Sequence, residues 1–313
     1  MRCLTRRWSD ADIDLSCGKQ VCRQHIAQGE TVMRSQLEEI RDQQRQTWDK
    51  FSSGWKKWDK LVLDWLDPVG QELVRSAGLG DDANVLDVAG GTGEPGVTAA
   101  ALVPKGMVTV TDLSERMLQV AAENAARRGI KNFQTKQCDA GALPFPDSSF
   151  DAVLCRFGFM FFPDVDVSVR EIARVARPGG RVCAAVWDAP EKNPWNMTIM
   201  GVINKHVAMP TPPPGSPGLF RCAAPGFMET VFRKGGLKDI AVKHVDGELR
   251  FNSPQEYWSF MTEISPTVVA GLTRADEPTR KKIESTALDL ARKTSPDGKP
   301  RLAWSATTIS ASK

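Results

Sequence analysis

The stretch VLDVAGGTGEPG, Val85 to Gly96, decides how this chain folds. Val85, Leu86 and Val88 form a short apolar run of the kind that makes a buried strand. Gly91-Thr92-Gly93-Glu94-Pro95-Gly96 then fits the pattern G-x-G-x-x-G. Such a turn joins a strand to a helix and lets backbone come close to a ligand, and the helix start beyond it offers free N–H groups. Asp112 lies 19 positions after Gly93, at the end of the next strand-like run. An acid there accepts hydrogen bonds from the two hydroxyls of a ribose.

Outward from this turn, strand and helix patterns alternate. MVTVTD is a strand, and Ser114 caps a helix that reaches about Arg128. NFQTKQCD is a weaker strand, followed by a loop with Pro144 and Pro146. FDAVLCRFGF is a strand, DVSVREIARVA a helix stopped by RPGG, and RVCAAVW a fifth strand. Repeated βα units with short turns predict a parallel sheet with helices on both faces. Upstream, Leu37, Ile40, Trp48, Phe51, Trp55 and Trp58 recur at helical spacing, Ser52-Ser53-Gly54 should break or kink that helix, and Asp67-Pro68 should begin another. Downstream, the Pro-rich segment from Asp188 to Phe220 reads as a short helix and a stiff loop inserted after strand five. PGFMETVFRKGGL is then a helix, DIAVKHVDGEL a strand, 254–271 and 275–293 helical stretches, and RLAWSATTISASK a final strand.

The 313 residues suffice for one large α/β domain or a domain with an insertion. A hydrophobic share of 41% and a charged share of 25% are ordinary for a soluble protein. The net charge of +3, without a Lys/Arg run, gives no sign of nucleic acid as a partner. No apolar run approaches the roughly 20 residues of a membrane helix. Seven cysteines at irregular spacing argue for reduced thiols and a cytoplasmic setting. Cys17, Cys22 and His25 lack a second ligand pair, so no metal is expected. Residues 1–32 have no apolar core of a secretory signal and read as a flexible extension, with 33–80 a helical cap and 81–313 the main domain. The sequence does not show an oligomeric state.

Two ligands compete for the glycine turn, a dinucleotide such as NAD and S-adenosylmethionine. Asp87 stands inside the strand and Glu94 at the helix start, and both carboxylates would repel a pyrophosphate. S-adenosylmethionine carries no phosphate, and its ammonium and sulfonium are positive. Asp139, at the end of the third strand, is placed to accept from an adenine amine.

Together VLDVAGGTGEPG, VTVTDLSERML, CDAGALPFPDSSFDAVLCRFGFMFFPD and REIARVARPGGRV resemble the class I methyltransferases that use S-adenosylmethionine, and within them the ubiquinone/menaquinone C-methyltransferase branch. The resemblance runs from about residue 45 to 187. It implies an α/β fold with a Rossmann-like seven-stranded sheet, helices on both faces, an N-terminal helical cap and a lid at about 188–220. It also implies roles at matching positions. Asp87, Ala89, Gly91 and Gly93 would line the methionine part, and Asp112 would bind the ribose. Leu113 and Met117 would lie near the adenosine, Asp139 and Ala140 would meet adenine, and Arg156 would stand beside the sulfonium and the substrate.

A small apolar or aromatic acceptor is expected, under Trp48, Phe51, Trp55 and Phe157. A tryptophan stripe at helical spacing is equally the mark of core packing. His206, in the insertion, is the candidate general base alongside Arg156 as a catalytic residue, while His244 reads as structural. The chain departs from the quinone enzymes in several ways, among them additional C-terminal helices. Their Tyr-Asp start and Ser-x-Gly-x-His-Arg run are missing, Met160 stands where their Phe-Gly-x-Arg-Asn arginine would be, and the insertion is longer. Cofactor use therefore transfers better than quinone C-methylation, and O, N, S or C remains open as the accepting atom. The rival functions are an NAD-dependent oxidoreductase and a non-catalytic protein that binds S-adenosylmethionine. Arsenite methylation is disfavoured because no cysteines stand at that family's positions.

Overall fold

A computed structural model describes the backbone of residues 15–313 and side chains from Ser35 onward. The expected flexible extension, residues 1–32, is instead helical from Leu15 onward, while residues 1–14 with Cys3 lie outside the described residues and the side chains of Cys17, Cys22 and His25 are not described. The chain divides into two units, Met1–Ile40 and Arg41–Lys313. Helix α1, Leu15–Lys57, runs through the described part of the first unit and into the second.

The second unit is built on seven strands. They are β1 (Asn84–Val88), β2 (Met107–Asp112), β3 (Phe133–Gln137), β4 (Phe150–Arg156), β5 (Ala176–Trp187), β6 (Lys238–Arg250) and β7 (Arg301–Ser312). Their order across the sheet is β3-β2-β1-β4-β5-β7-β6. β1 to β5 are parallel, while β7 runs antiparallel to both β5 and β6. This is the Rossmann-like class I methyltransferase sheet that the resemblance implied. β1 pairs with β2 on one side and β4 on the other. The strand order reverses there, and open α/β sheets bind ligands outside the strand ends at such a point.

Helices α3 (Gly96–Leu102), α4 (Glu115–Arg127) and α5 (Val165–Val175) follow β1, β2 and β4. Ser114 caps α4 as expected, its hydroxyl accepting the Met117 N–H at 3.1 Å. The insertion after β5 holds α6 (Pro194–His206), then a loop to α7 (Phe227–Lys234). α8 (Pro254–Ile264), α9 (Pro266–Thr273) and α10 (Glu277–Arg292) lie between β6 and β7. The stretch expected as one helix over 254–271 is two, because Pro266 ends α8 and Ser265 caps α9.

Two expectations in the cap are corrected. Helix α2 spans Asp59–Ala77 with Pro68 inside it rather than at its start. Val62, Trp65, Leu66, Val69, Leu73 and Val74 all bury on one face. Burying that face outweighs the roughly 3 kcal/mol that an interior proline costs. Ser52-Ser53-Gly54 does not break α1, which continues to Lys57. Gly54 serves a close approach instead, since a Cβ there would sit 2.1 Å from the Glu263 carbonyl oxygen of α8. No described helix is long and apolar enough to cross a membrane.

Candidate functional site

A cavity of about 400 Å³ opens above the carboxyl ends of β1, β2 and β4. That volume lies within the range of roughly 300–1,000 Å³ usual for small-molecule sites. Its floor is the turn after β1. Gly90 N–H donates to the Thr111 carbonyl at 2.9 Å, and Gly91 N–H donates to Asp112 Oδ2 at 3.0 Å. Gly91 adopts φ +55°, a left-handed conformation that glycine takes without strain. Ala89 also has φ +55°, which a residue with a Cβ adopts only when its surroundings hold it there.

Asp112 lines the cavity with its carboxylate fixed from behind. Oδ1 accepts the Ser114 N–H at 2.9 Å while Oδ2 takes that of Gly91. Burial raises its pKa to about 6, and the backbone donors oppose the rise. A carboxylate offers about four lone-pair sites. The Ser114 and Gly91 N–H groups use two of them, the Leu113 N–H lies against the same carboxylate, and the remaining capacity suits a hydroxyl donor. Asp139 also lines the cavity, oriented by the Gly141 N–H at 2.8 Å, with Ala140 beside it. Leu113 and Met117 complete this end. The residues present therefore fit an adenosine.

Asp87 is placed differently from the expectation. It is fully buried beneath the turn and does not line the cavity. Oδ2 accepts the Gly96 N–H at 2.9 Å, and Oδ1 has no partner. Burial pushes its pKa up to about 8 against the attraction of Arg156. Gly93 is likewise displaced from the lining. Its backbone, at φ +109°, passes so close to α4 that a Cβ would lie 3.1 Å from Ala121. Glu94, read from the sequence only as a charge opposing a pyrophosphate, lines the cavity instead. It accepts from Thr98 N–H and pairs with Arg128. Arg156 lines the cavity, donates to the Leu66 carbonyl at 3.3 Å and is attracted by Glu94, Asp87 and Asp67. Its enclosure pulls its pKa below the ordinary guanidinium value.

The other end of the cavity is aromatic. Phe157, at φ +62°, stacks on Trp187 with centroids 4.2 Å apart, and Trp187 stacks on Trp65 at 5.4 Å. Trp195 meets the edge of Trp65 at 4.8 Å. From α1, Trp48 and Trp55 line the same space, Trp48 lying edge-on to Phe161 at 5.1 Å. Leu219 of the insertion and Ser265, Pro266 and Thr267 of the α8–α9 break close the rim. The insertion thus takes part in the wall, but His206 does not. It is the exposed last residue of α6, pointing outside the lining. Phe51 is buried but also outside the lining, although Trp48 and Trp55 flank it on the helix. Among the described residues, none lining the cavity is His, Lys or Tyr.

Residues 85–180 match a family model described as a methyltransferase domain. An uncharacterized protein of Mycobacterium tuberculosis (strain ATCC 25618 / H37Rv) is 40% identical over 127 residues, 41% of this chain and 45% of that protein. The ubiquinone/menaquinone biosynthesis C-methyltransferase UbiE of Hahella chejuensis is 40% identical over 119 residues, 37% of this chain and 48% of the enzyme. The chain thus spans less than half the length of these curated relatives. The crystal structure of the YcgJ protein from Bacillus subtilis is similar in fold, with a TM-score of 0.50 at 24% identity over 78% of this chain and 97% of that one.

Proposed function

From the methyltransferase domain that residues 85–180 form, we infer that this chain transfers a methyl group from S-adenosylmethionine to a small acceptor with an apolar or aromatic body. One observation carries the reading. The acid that ends β2 is fixed to the glycine turn after β1 and lines a cavity whose far end is aromatic. Asp112 binds the ribose hydroxyls, Asp139 and Ala140 meet the adenine edge, and Leu113 and Met117 flank the nucleoside. Ala89 and Gly91 border the amino-acid part, with the acid Glu94 in the lining supplying negative potential and Asp87 supporting the turn from beneath. That charge favours a cationic ligand over a pyrophosphate.

The cofactor supplies a methyl group already activated on a sulfonium. The chain's own part is to orient the acceptor in line and to exclude water. Trp48 and Trp55 cover the space from α1, and Phe157, Trp187 and Trp65 offer flat apolar walls. Arg156 lines the cavity on the Leu66 carbonyl, with the acids Glu94 and Asp67 drawing on its charge. We place the reaction in the cytoplasm, supported by the free buried thiols of Cys155, Cys183 and Cys222.

Calorimetry with S-adenosylmethionine and with NAD tests the cofactor, and labelled S-adenosylmethionine with quinols, phenols, amines and thiols tests the transfer. Binding of the former alone, with label moving to an acceptor, is expected. Tight NAD binding with no affinity for S-adenosylmethionine overturns the reading.

A further inference from the structure

Among the described residues, Arg156 is the one cationic side chain that lines the cavity. It ends β4, and its Nη1 donates to the Leu66 carbonyl at 3.3 Å. A guanidinium carries further N–H donors in a planar fork that matches a carboxylate. The three acids that attract it are committed elsewhere. Glu94 accepts the Thr98 N–H and pairs with Arg128, and Asp67 accepts from Gln71 Nε2 at 3.1 Å. Asp87 takes the Gly96 N–H, and its pKa of about 8 leaves it mostly protonated at neutral pH. An enclosed charge is costly unless an opposite charge meets it, so the guanidinium is poised for an anionic ligand. Its neighbours place it beside the aromatic wall. Phe157 follows it and stacks on Trp187, and Leu66 follows Trp65, which stacks on the same ring.

The rest of the lining limits which atom can accept the methyl group. A phenol, a thiol, an ammonium or a carbon acid must lose a proton before or during attack. None of the described residues lining the cavity is His, Lys or Tyr, and burial pushes the Cys138 thiol up to about 11. The lining acids are occupied as well, Glu94 by Arg128, Asp112 by the Ser114 and Gly91 N–H groups, and Asp139 by the Gly141 N–H. A carboxylic acid needs no base there. Its ordinary pKa of about 4 means that it has lost its proton well below neutral pH.

Resting on the methyltransferase reading, we propose that Arg156 binds the carboxylate of the methyl acceptor and that a carboxylate oxygen is the accepting atom. The substrate class is a monocarboxylic acid with an apolar body, and the product is its methyl ester. Arg156 holds one oxygen, and the other attacks the methyl carbon in line. An O–C bond forms, the C–S bond breaks, and its electron pair goes to sulfur, giving S-adenosylhomocysteine. No proton is taken up or released. The sulfonium and Arg156 together draw the carboxylate in, and the charge on both reactants is spent in the transfer.

The test uses octanoate, phenylacetate and 2-naphthoate, each against its primary amide, which has nearly the same shape without the charge. Calorimetry with saturating S-adenosylhomocysteine measures both affinities in wild type, Arg156→Met and Arg156→Gln. At least one acid should bind wild type about 10- to 100-fold more tightly than its amide, and the preference should disappear in both variants. The glutamine variant can still donate to the Leu66 carbonyl, so it decides the matter if the methionine variant does not fold. With labelled S-adenosylmethionine, the preferred acid should give a product whose label mild alkali releases as methanol, the mark of an ester. A preference absent from wild type, a preference unchanged in the variants, or label that resists alkali overturns the proposal. The cofactor carries a carboxylate too, so the three proteins are also titrated with S-adenosylmethionine and with its decarboxylated analogue. A loss confined to S-adenosylmethionine, with the acid-to-amide ratio unmoved, assigns Arg156 to the cofactor and likewise overturns the proposal. Failure of wild type to bind S-adenosylmethionine overturns the methyltransferase reading instead, and leaves the acid preference to be judged on its own ratio.

Discussion

Asp49 on α1 and Ser114, the cap of α4, are joined by a hydrogen bond of 2.6 Å, the Ser114 hydroxyl donating to Asp49 Oδ1. The same hydroxyl oxygen caps α4 by accepting the Met117 N–H. Ser114 also gives its own N–H to Asp112. One serine therefore ties the helix that carries Trp48 and Trp55 to the acid proposed to hold the ribose. Asp49→Ala should loosen this tie at a cost of about 1.5 kcal/mol, the low end for a bond to a carboxylate because Asp49 is half-buried. Amides between Gln44 and Trp55 should then exchange hydrogen faster, and affinity for S-adenosylmethionine should fall severalfold. Unaltered exchange in that segment would mean that α1 is held by other contacts.

Asp112 makes a sharper prediction because its two functions separate. Asp112→Ala removes charge-assisted hydrogen bonds of roughly 1.5–3 kcal/mol, so affinity for S-adenosylmethionine should drop about 10- to 100-fold by calorimetry. In wild type the carboxyl group titrates at about 6, raised by burial. The ionised form is the better acceptor for two hydroxyls. Affinity should therefore be level above pH 7 and decline as pH falls through 6, and the alanine variant should lose that dependence. A wild-type affinity constant from pH 5 to 8 would count against a ribose contact at Asp112.

The places of the glycine turn, Asp112 and Asp139 in the cavity wall were legible in the sequence because they depend on local geometry. A strand end, a turn and a helix start have fixed spacing, and an acid at the strand end keeps its place whatever packs around it. The strand expectations held for the same reason. The cap was less legible. Pro68 read as a helix start because local propensity favours that position, and only tertiary packing makes an interior proline tolerable. Asp87 and Gly93 belong to the same motif as Gly91, yet they support the turn from below and behind. Motif spacing shows which residues build a turn, not which of them face the ligand. Asn196 carries no periodic or compositional signal in a Pro-rich insertion. It becomes visible only when α6 is seen against the cavity.

His206 shows the opposite error, a residue chosen for its chemistry and misplaced by its position. It continues the spacing of Asn196, Ile199 and Ile203 along α6, but it is the final residue of that helix and emerges into solvent. It is exposed and stands outside the cavity lining. His206→Ala should leave the rate of methyl transfer within about twofold of wild type and thermal stability within about 0.5 kcal/mol, as for an ordinary surface substitution. A rate loss of about 100-fold, the least expected on removing a general base, would return it to the site.

Asp87 should set the pH dependence of stability in the protein without ligand. Its carboxyl group titrates near 3.8 in the unfolded chain and at about 8 when folded, chiefly through burial. Between these values the native state binds the proton more tightly than the unfolded state does. Stability then falls as pH rises, by at most about 1.4 kcal/mol for each pH unit from this group. Below 3.8 both states hold the proton and no penalty exists; above 8 the penalty is complete. The substitution Asp87→Asn keeps the shape, since the amide oxygen can still accept the Gly96 N–H where Asp87 Oδ2 does now. The variant should accordingly be more stable than wild type at pH 8, with the difference shrinking steadily toward pH 4. Urea denaturation across that range measures it. Parallel stability curves for the two proteins would show that Asp87 stays ionised in the folded state, with Arg156 as its counter-charge.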